Sequence, residues 1–462
     1  MAHGSRRMNL ALSIAALGYH VGTWRLPESD PNATMSFRHY ADLTQLAERG
    51  KFDMIFLADV MAARETTGPA DAARRIHHVV RHDPLTLLSA LAPLTSRIGL
   101  VATASSTYTD PFTLARRFAS LDHISGGRSG WNVVTGYNIE EAQNLGFEKV
   151  PDPAFRYSRV YETLDVAKGL WDSWDDDAFL FDKQSGIYFD PAKMHVLNHK
   201  GHHFSVRGPL DVARPPQGYP VFVTAGESDA AQELAAAQAE VVYAGLPTLT
   251  AARDYYVSVK SRLAKYDRVP EGLKILTGIM ATVAETEAEA KAKQRQLMDM
   301  IHPEIGLRMI RPIFGDLSGF GLDERVPESV LAPQERTAHN DFAARTTIAT
   351  VLAERIRRDR LTVRQLYEAI AEGYWQLSVV GTPSMVADRM QEWFEAEACD
   401  GFIVQPPNQP GASADFVRLV IPELQRRGLF RTDYEGPTLR DQLGLPRPPS
   451  RYALRQEAVA VA

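Results

Sequence analysis

Apolar runs of strand length alternate along the first 245 residues with segments in which apolar residues recur at helical spacing. Each run is apolar at consecutive positions rather than at every second one, which is typical of strands buried on both faces in a parallel sheet. The chain contains eight such runs, at residues 10–17, 52–60, 98–106, 131–135, 220–226, 240–244, 273–283 and 401–405.

Helical segments follow several of these runs. Residues 37–52 carry apolar side chains at helical spacing. Asp83 and Asp110 each precede a proline, the order typical of an N-cap followed by the first residue of a helix. The two pairs predict helices at 84–95 and 111–124. Eight strands joined by helices predict an α/β fold, and a closed (β/α)8 TIM barrel rather than an open doubly wound sheet.

Two stretches interrupt the repeat. We predict a single (β/α)8 barrel domain at residues 9–435, with insertions at about 175–217 and 286–380 and a C-terminal tail at 436–462. The first insertion is rich in Asp, Gly, Pro and His and has hairpin-like patches, and the second is mostly helical. Long insertions between barrel units commonly form lids or subunit surfaces.

Composition narrows the class of protein. The 462 residues are 45% hydrophobic and 23% charged, as in an ordinary globular protein, and the net charge of −6 argues against a polybasic binder of nucleic acid or membrane. The single cysteine, Cys399, excludes an internal disulfide framework and a multi-thiolate metal site, and it favours a reducing cytoplasm. Arg6 and Arg7 precede a ten-residue apolar run at 8–17 that lacks a small-residue cleavage site, so we interpret the run as a buried strand and not as a signal.

Polar side chains gather where the predicted strands end, which is where a (β/α)8 barrel builds its active site. They are small hydrogen-bonding groups with one carboxylate and one histidine, a set that suits a flat polar ligand better than strong acid–base chemistry. They are His20 and Trp24 after the first strand, Asp59 after the second, Thr103, Ser105 and Ser106 at the third, and Asn132 and Thr135 at the fourth.

The fifth strand runs through Gly226, Glu227 and Ser228 directly into a predicted helix at 228–239. Free amide groups at a helix N-terminus, beside a hydroxyl and a glycine that permits close approach, favour a phosphate site. Ser228 is also a typical N-cap residue, and the two roles are compatible. Glu227 would oppose a phosphate unless its side chain turned outward.

Other cofactor sites find little support. His78 and His82 have the i, i+4 spacing of helical metal ligands, but the helix begins only at residue 84, so we place them in a loop and predict no metal site. The histidines at 195–203 lie in the first insertion. The sequence has no dinucleotide-binding, P-loop or nucleophile-elbow motif, which weakens nicotinamide dehydrogenase, P-loop and α/β-hydrolase functions.

Several segments together resemble one enzyme family. They are residues 18–25 (GYHVGTWR), 47–59 (AERGKFDMIFLAD), Asp110 with 114–136 (LARRFASLDHISGGRSGWNVVTG), Arg156-Tyr157, 198–226, and Ser228 with its helix. With these segments the chain resembles the nitrilotriacetate/dibenzothiophene-sulfone monooxygenase family, within the bacterial luciferase-like flavin-dependent monooxygenases, from residue 9 to about 430.

This resemblance implies a (β/α)8 barrel, usually a homodimer or homotetramer, that binds reduced FMN delivered by a separate NAD(P)H-dependent flavin reductase. It implies oxygenation by O2 of a small organic substrate of xenobiotic, sulfone, sulfonate or aminocarboxylate type. In such an enzyme the cofactor carries the difficult chemistry, and the protein orients it and excludes water.

The family motifs also imply roles for individual residues. Each of these residues has an ordinary structural role open to it as well, such as capping, satisfying buried backbone or packing. The implied ligands are Asp59, Thr103, Ser105 and Asn132 at the isoalloxazine ring, Tyr157 and Ser228 at the phosphate, and His20 and Trp24 as catalytic candidates on the substrate side.

Three positions depart from the family pattern. Pro153 stands four residues before Tyr157, where a histidine near the phosphate is usual. Gly136 replaces a serine, and Glu227 stands where a small residue is common. Since these changes surround the expected flavin, a non-catalytic flavin-binding relative stays open. An F420-dependent hydride-transfer oxidoreductase of the same superfamily and a metal-dependent barrel hydrolase stay open as well.

Overall fold

The computed structural model describes residues 6–63, 74–331 and 343–453 of the chain. Its strands are β1 (Asn9–Ser13), β2 (Met54–Leu57), β3 (Gly99–Ser105), β4 (Ser129–Val134), β5 (Phe179–Asp182), β6 (Ile187–Phe189), β7 (His199–Lys200), β8 (Ser205–Val206), β9 (Val221–Ala225), β10 (Val241–Ala244), β11 (Lys274–Val283), β12 (Leu377–Gly381) and β13 (Gly401–Val404). Its α-helices are α1 (Phe37–Arg49), α2 (Pro84–Leu91), α3 (Pro111–Ser125), α4 (Ile139–Asn144), α5 (Pro153–Trp171), α6 (Asp229–Gln238), α7 (Leu249–Arg262), α8 (Glu287–Asp299), α9 (Pro303–Phe314), α10 (Ala343–Asp359), α11 (Val363–Gly373), α12 (Pro383–Glu395), α13 (Gly411–Asp415), α14 (Ile421–Arg426) and α15 (Leu439–Leu443).

Eight of these strands close into a parallel barrel. They are neighbours in the order β1, β2, β3, β4, β9, β10, β11, β13, and β13 pairs back to β1. The predicted α/β fold and (β/α)8 barrel are therefore confirmed, and each of the eight predicted apolar runs overlaps one barrel strand. The predicted helix caps are confirmed too, since Asp83 accepts from the Thr86 N–H at 2.7 Å and Asp110 from the Thr113 N–H at 2.8 Å.

Two features differ from the predicted strands. The first run was predicted to extend to residue 17, but β1 ends at Ser13 because the chain then turns toward Gly18, which has a φ of +99°. The described part of the stretch 286–380 is mostly helical, as predicted, but it also contains the start of β12, a strand that was not predicted. The cause is the length of β11, whose ten residues extend past the barrel and present an edge to which β12 pairs from Ile279 to Val283.

The amino-terminal end of the barrel is closed by the segment that we predicted as a tail. Leu439 and Leu443 pack against inward-facing apolar side chains such as Met54 and Val101. Burial of one leucine side chain contributes roughly 1.5–3 kcal/mol to folding. The segment is therefore part of the barrel's packed interior up to at least residue 445.

A buried ion pair fastens the same segment. Asp53, just before β2, accepts from the Leu10 N–H at 2.6 Å and from Asn9 Nδ2 at 3.0 Å, and its other partner is Arg431. The Arg431 guanidinium also donates to the Gln442 carbonyl at 2.6 Å. These contacts connect β1, β2 and the C-terminal segment. Separating the segments would leave a buried charge without its partner, which is costly.

The two insertions differ in structure. Residues 175–217 contain the hairpins β5–β6 and β7–β8, as the hairpin-like patches predicted. Glu162 of α5 holds the second hairpin by accepting from His199 Nε2 and from the Phe204 N–H, each at 2.9 Å. The second insertion contains helices α8 to α11, which enclose their own apolar cluster, and its residues 332–342 lie outside the described residues. In the described ranges, no helix is both long and apolar enough to cross a membrane.

Candidate active site

The carboxyl ends of the parallel strands lie at one end of the barrel, which we call the barrel mouth. Inward-facing positions alternate along each strand. On this basis Thr103 of β3, Asn132 of β4 and Tyr243 of β10 face inward near the upper end. Their immediate neighbours along each strand pack into the core between the barrel and its helices, so these three side chains point to the opposite side. Ala58 and Ala225, at the upper ends of β2 and β9, are exposed. Solvent therefore reaches the mouth.

Thr103 and Asn132 form a pair on adjacent strands. Asn132 Nδ2 donates to Thr103 Oγ1 at 2.9 Å, and both residues are buried. Asn132 Oδ1 is buried and has no hydrogen-bond partner among the described residues. Ser105, also buried, accepts from the Thr107 N–H at 3.3 Å and so retains a hydroxyl proton to donate. The pair thus presents one unused acceptor at the mouth.

Two of the predicted rim residues do not join this group. Ser106 Oγ donates to the Val134 carbonyl at 3.1 Å, which places it in the backbone pairing of β3 with β4. Thr135 Oγ1 accepts from Arg156 Nη1 at 3.3 Å, and the same nitrogen donates to the Gly136 carbonyl at 2.7 Å. These contacts fix the start of α5 against the end of β4, and so they position the next residue, Tyr157.

Tyr157 and Ser228 meet at the surface of the mouth. Tyr157 Oη lies 3.4 Å from Ser228 Oγ, although the two residues are far apart in sequence. Ser228 Oγ accepts from the Ala231 N–H at 3.2 Å, so it is the N-cap of α6, as predicted. Ser228 is exposed and keeps its own proton for a ligand. Pro153 is exposed at the first position of α5.

Glu227 does not turn outward. Its Oε1 accepts from the Gly245 N–H at 3.0 Å, which bridges the ends of β9 and β10. Burial raises the pKa of Glu227 to about 7, and the Gly245 hydrogen bond acts in the opposite direction. Gly226 before it has a φ of +131°, and a Cβ there would lie 2.9 Å from the Ala231 Cβ. Glycine is therefore required where the strand passes into α6.

Asp59 and Glu141 form a second acidic group at the barrel, of which only Asp59 was predicted from the sequence. Burial raises the pKa of Asp59 to about 6, although Arg81, at 4.0 Å from its Oδ1, lowers it. Glu141 of α4 lies nearby, and burial raises its pKa as well, with the Asp59 charge adding to the shift. Glu141 Oε1 accepts from the Met61 N–H at 3.3 Å. Nothing in the sequence marked Glu141, because its burial depends on the loop after β2 folding over it.

His20 and Trp24 follow β1, and the His20 N–H donates to the Pro407 carbonyl, after β13, at 2.9 Å. His20 is 1% exposed, and its Nδ1 accepts from the Gly22 N–H at 3.2 Å. Burial, with the charge of His77, lowers the pKa of His20 to about 3. A neutral ring with an accepting Nδ1 carries its proton on Nε2, which is buried without a partner among the described residues. Trp24 Nε1 donates to the Arg75 carbonyl at 3.0 Å and flanks a groove of about 410 Å³.

The histidine-rich stretches have other contacts. Residues 77–82 lie in the loop before α2, as predicted. In the first insertion, His195 Nε2 lies 2.9 Å from Asp175 Oδ1, and His199 Nε2 lies 2.9 Å from Glu162 Oε1. Within the described part of the chain, no three His, Cys, Asp or Glu side chains converge as metal ligands would.

Three polar side chains at the mouth were missed from the sequence. Tyr243, Gln405 and Gln376 form one hydrogen-bonded group, in which Gln405 Nε2 donates to Tyr243 Oη at 3.1 Å. The one available signal was Tyr243, the polar member of the otherwise apolar strand VVYA. Gln376 belongs to the second insertion, so no barrel pattern pointed to it.

Comparison with known proteins gives consistent matches along the chain. The family model described as luciferase-like monooxygenase matches residues 16–400. The chain is 44% identical over 455 residues to N-acetyl-S-(2-succino)cysteine monooxygenase of Bacillus subtilis (strain 168), covering 98% of this chain and 100% of that protein. It is 45% identical over 458 residues to nitrilotriacetate monooxygenase component A of Aminobacter aminovorans, covering 97% and 99%. A solved structure of riboflavin lyase with modified FMN and riboflavin has a TM-score of 0.81 at 30% identity, covering 96% of this chain and 97% of that one.

Proposed function

This chain belongs to the luciferase-like monooxygenase family, and we propose from that premise that it oxygenates a small organic substrate with reduced FMN and O2. The resemblance expected from the sequence is confirmed, and the class of enzyme is a flavin-dependent monooxygenase. The substrate class proposed is the one expected from the sequence: a xenobiotic, sulfone, sulfonate or aminocarboxylate. The two relatives are named for an N-acetylated succinocysteine and for nitrilotriacetate, and these names support the aminocarboxylate class.

One observation supports FMN as the cofactor more than any other. Asn132 Oδ1 is a buried acceptor at the mouth with no partner in the described residues, while its Nδ2 is committed to Thr103. A buried carbonyl without a partner costs about 1–3 kcal/mol, so the site is built to receive a donor. The flavin ring carries N–H donors at its edge. Asn132 and Thr103 would therefore hold the ring, with Asp59 and Ser105 beside them.

The residues at the other side of the mouth suit a phosphate. The hydroxyl pair of Tyr157 and Ser228 shares one proton and offers the other, and the N-terminus of α6 begins beside it. Pro153 offers no hydrogen bond, so Tyr157 and Ser228 carry more of the phosphate binding than in a site with a histidine at that position. Gly136 has a φ of +61°, and a Cβ there would meet the Tyr108 ring at 2.5 Å. A side chain at position 136 would therefore clash, and the backbone conformation favours glycine there.

Reduced FMN, when bound, supplies the electrons with which O2 is activated. The chain's own residues then bind, orient and exclude water. We propose that the uncharged His20 ring offers its Nε2–H as a donor and that Trp24 forms a wall of the substrate side. Asp59, with a pKa of about 6, holds or releases a proton near neutral pH.

We propose a separate NAD(P)H-dependent flavin reductase as the partner, supported by the designation "component A" of the nitrilotriacetate relative. We also propose a homodimer or homotetramer in the cytoplasm. The hairpin β5–β6 exposes Phe181 and Tyr188, which is typical of a contact surface. Cys399 is a buried free thiol, as expected in a reducing compartment.

The test is an anaerobic titration of the purified protein with reduced FMN, followed by admission of O2 while the flavin spectrum is recorded. We expect saturable binding and reoxidation with a time course distinct from that of free flavin. Tyr157→Phe and Ser228→Ala should weaken binding of FMN more than binding of riboflavin, with exposed Ser185→Ala as the matched control. Absence of binding by both oxidised and reduced FMN at high micromolar concentration would refute the proposal and direct the titration to F420.

A further inference from the structure

The ring of inward-facing side chains at the barrel mouth has one position without a side chain. Gly278 of β11 faces inward, two residues beyond the interior residue Leu276. The side-chain amide of Gln376 occupies the space: a Cβ on Gly278 would lie 1.1 Å from Gln376 Oε1. Gln376 is 8% exposed and comes from the second insertion, just before β12. The insertion therefore contributes a polar group to the barrel interior.

The hydrogen bonds of this group fix the direction of one proton. Gln376 Nε2 donates both to Tyr243 Oη and to Gln405 Oε1, and Gln405 Nε2 donates to Tyr243 Oη. Reversal of both amides would leave two carbonyl oxygens competing for one phenolic proton, so the observed arrangement satisfies more donors. Because Tyr243 Oη already accepts from two N–H groups, its own proton is directed away from both amides.

Tyr243 lies at the barrel mouth. Tyr243 is paired in register with Ala225, which is exposed at the end of β9. Tyr243 itself is partly exposed, and no acceptor for its proton is found among the described residues. Burial raises the pKa of Tyr243 far above its usual value, with the Tyr19 and Glu227 charges adding to the shift. The hydroxyl is therefore a neutral donor throughout the working pH range.

We propose that Tyr243 donates this hydrogen bond to an acceptor atom of the bound flavin ring, which makes Tyr243 a cofactor-binding residue and Gln376 the residue that positions its proton. The inference rests on the proposed FMN cofactor. The ring must lie within reach of both Asn132 and the phosphate site at Ser228. Tyr243 is on β10, next to the strand that leads into Ser228, so it faces the same space. The second insertion thereby takes part in cofactor binding through a single amide.

The test measures the dissociation constant of oxidised FMN and the visible spectrum of the bound flavin. Tyr243→Phe removes the proton and keeps the ring. Gln376→Met removes the amide and keeps its length, and Gly278→Ala displaces the amide by adding one carbon. We expect each variant to bind FMN about 3- to 10-fold more weakly, as for one lost hydrogen bond, with the same spectral shift. Tyr434→Phe is the matched control, because that partly buried hydroxyl donates to the Phe52 carbonyl at the other end of the barrel.

A double variant separates positioning from a general structural effect. If Gln376 acts through the Tyr243 proton, then Gln376→Met in the Tyr243→Phe background changes FMN affinity no further. Additive losses would contradict the positioning role of Gln376. Wild-type affinity and spectrum in Tyr243→Phe would overturn the proposal while leaving the proposed function intact, whereas failure of the wild-type protein to bind FMN would count against both.

Discussion

Asn132 and Thr103 share a hydrogen bond of 2.9 Å between adjacent strands of the barrel mouth, and that bond leaves the Asn132 carbonyl oxygen buried and unpartnered in the described structure. The pair is therefore asymmetric, because its donor bonds within the protein and its acceptor remains available to a ligand. A ligand with a donor group binds more favourably to such a site, since the acceptor is already desolvated in the folded protein and gains a hydrogen bond on binding.

The double variant Asn132→Leu with Thr103→Val should separate stability from cofactor binding. Replacing both partners with apolar groups of similar shape removes a hydrogen bond and an unsatisfied acceptor together, so the free energy of unfolding should change by less than about 1 kcal/mol. Affinity for FMN should fall by about tenfold or more, since the ring loses its acceptor. Urea denaturation and flavin titration measure the two effects. A variant that loses stability but binds FMN normally would show that the pair has only a structural role.

Glu227 should make the protein less stable as pH rises. Its pKa is raised by burial from 4.5 to about 7, so between these values the unfolded chain has released a proton that the folded protein retains. The free energy of unfolding therefore falls as pH rises through this window. Glu227→Gln removes this pH dependence. The free energy of unfolding of the variant, relative to that of the wild type, should therefore rise by about 1–3 kcal/mol from pH 5 to pH 8. Thermal unfolding at several pH values tests this.

The same variant bears on phosphate binding. Glu227 adjoins Ser228, so its carboxylate should repel the proposed FMN phosphate at pH 8.5, and Glu227→Gln should tighten FMN binding there while leaving riboflavin binding unchanged. Asp433→Asn is the control, because that exposed carboxylate is paired with Lys51 at the other end of the barrel. An equal gain for riboflavin would place the effect away from the phosphate.

The barrel was predictable because its strands carry a local signal. Each of the eight runs is apolar at consecutive positions, and caps such as Asp83 and Asp110 mark the helices between them. β12 was not predictable in the same way, since it pairs with the overhang of an unusually long β11 and no repeat of the barrel requires it. Its existence depends on a tertiary edge rather than on its own sequence.

The site was predictable only where it follows the strand ends. Thr103, Asn132 and Ser228 lie where the barrel rule places them, whereas Glu141 and Gln376 are brought in by a loop and an insertion. Sequence position alone also cannot tell which hydroxyl faces the mouth. The Ser106 hydroxyl donates to a backbone carbonyl, and the Thr135 hydroxyl accepts from Arg156. Both contacts depend on the three-dimensional structure. Both residues were predicted to belong to the ring of polar side chains at the strand ends, but their orientation could not be deduced from the sequence.

The C-terminal segment should be essential to folding although it lies far from the mouth. Leu443 is 2% exposed inside the barrel, so Leu443→Ala should lower the free energy of unfolding by about 2–5 kcal/mol. Leu180, half exposed on the β5–β6 hairpin, is the control, and Leu180→Ala should change stability by less than about 0.5 kcal/mol. Urea denaturation of both variants tests the contrast. Equal stabilities would mean that residues after 436 are a dispensable tail.

His20 should make the folded protein sensitive to acid. Its pKa is lowered by burial from 6.5 to about 3, so below pH 6.5 the unfolded chain binds a proton that the folded protein does not. The stability that His20 permits is complete above this pH and is lost progressively as pH falls toward 3. In His20→Asn, which cannot bind that proton, the loss between pH 7 and pH 4.5 should be smaller by about 1–3 kcal/mol. His123→Asn, an exposed histidine that bonds the Ala213 carbonyl, is the control and should follow the wild type. Parallel acid sensitivity in all three proteins, measured by urea midpoints, would mean that His20 is not held neutral in the folded state.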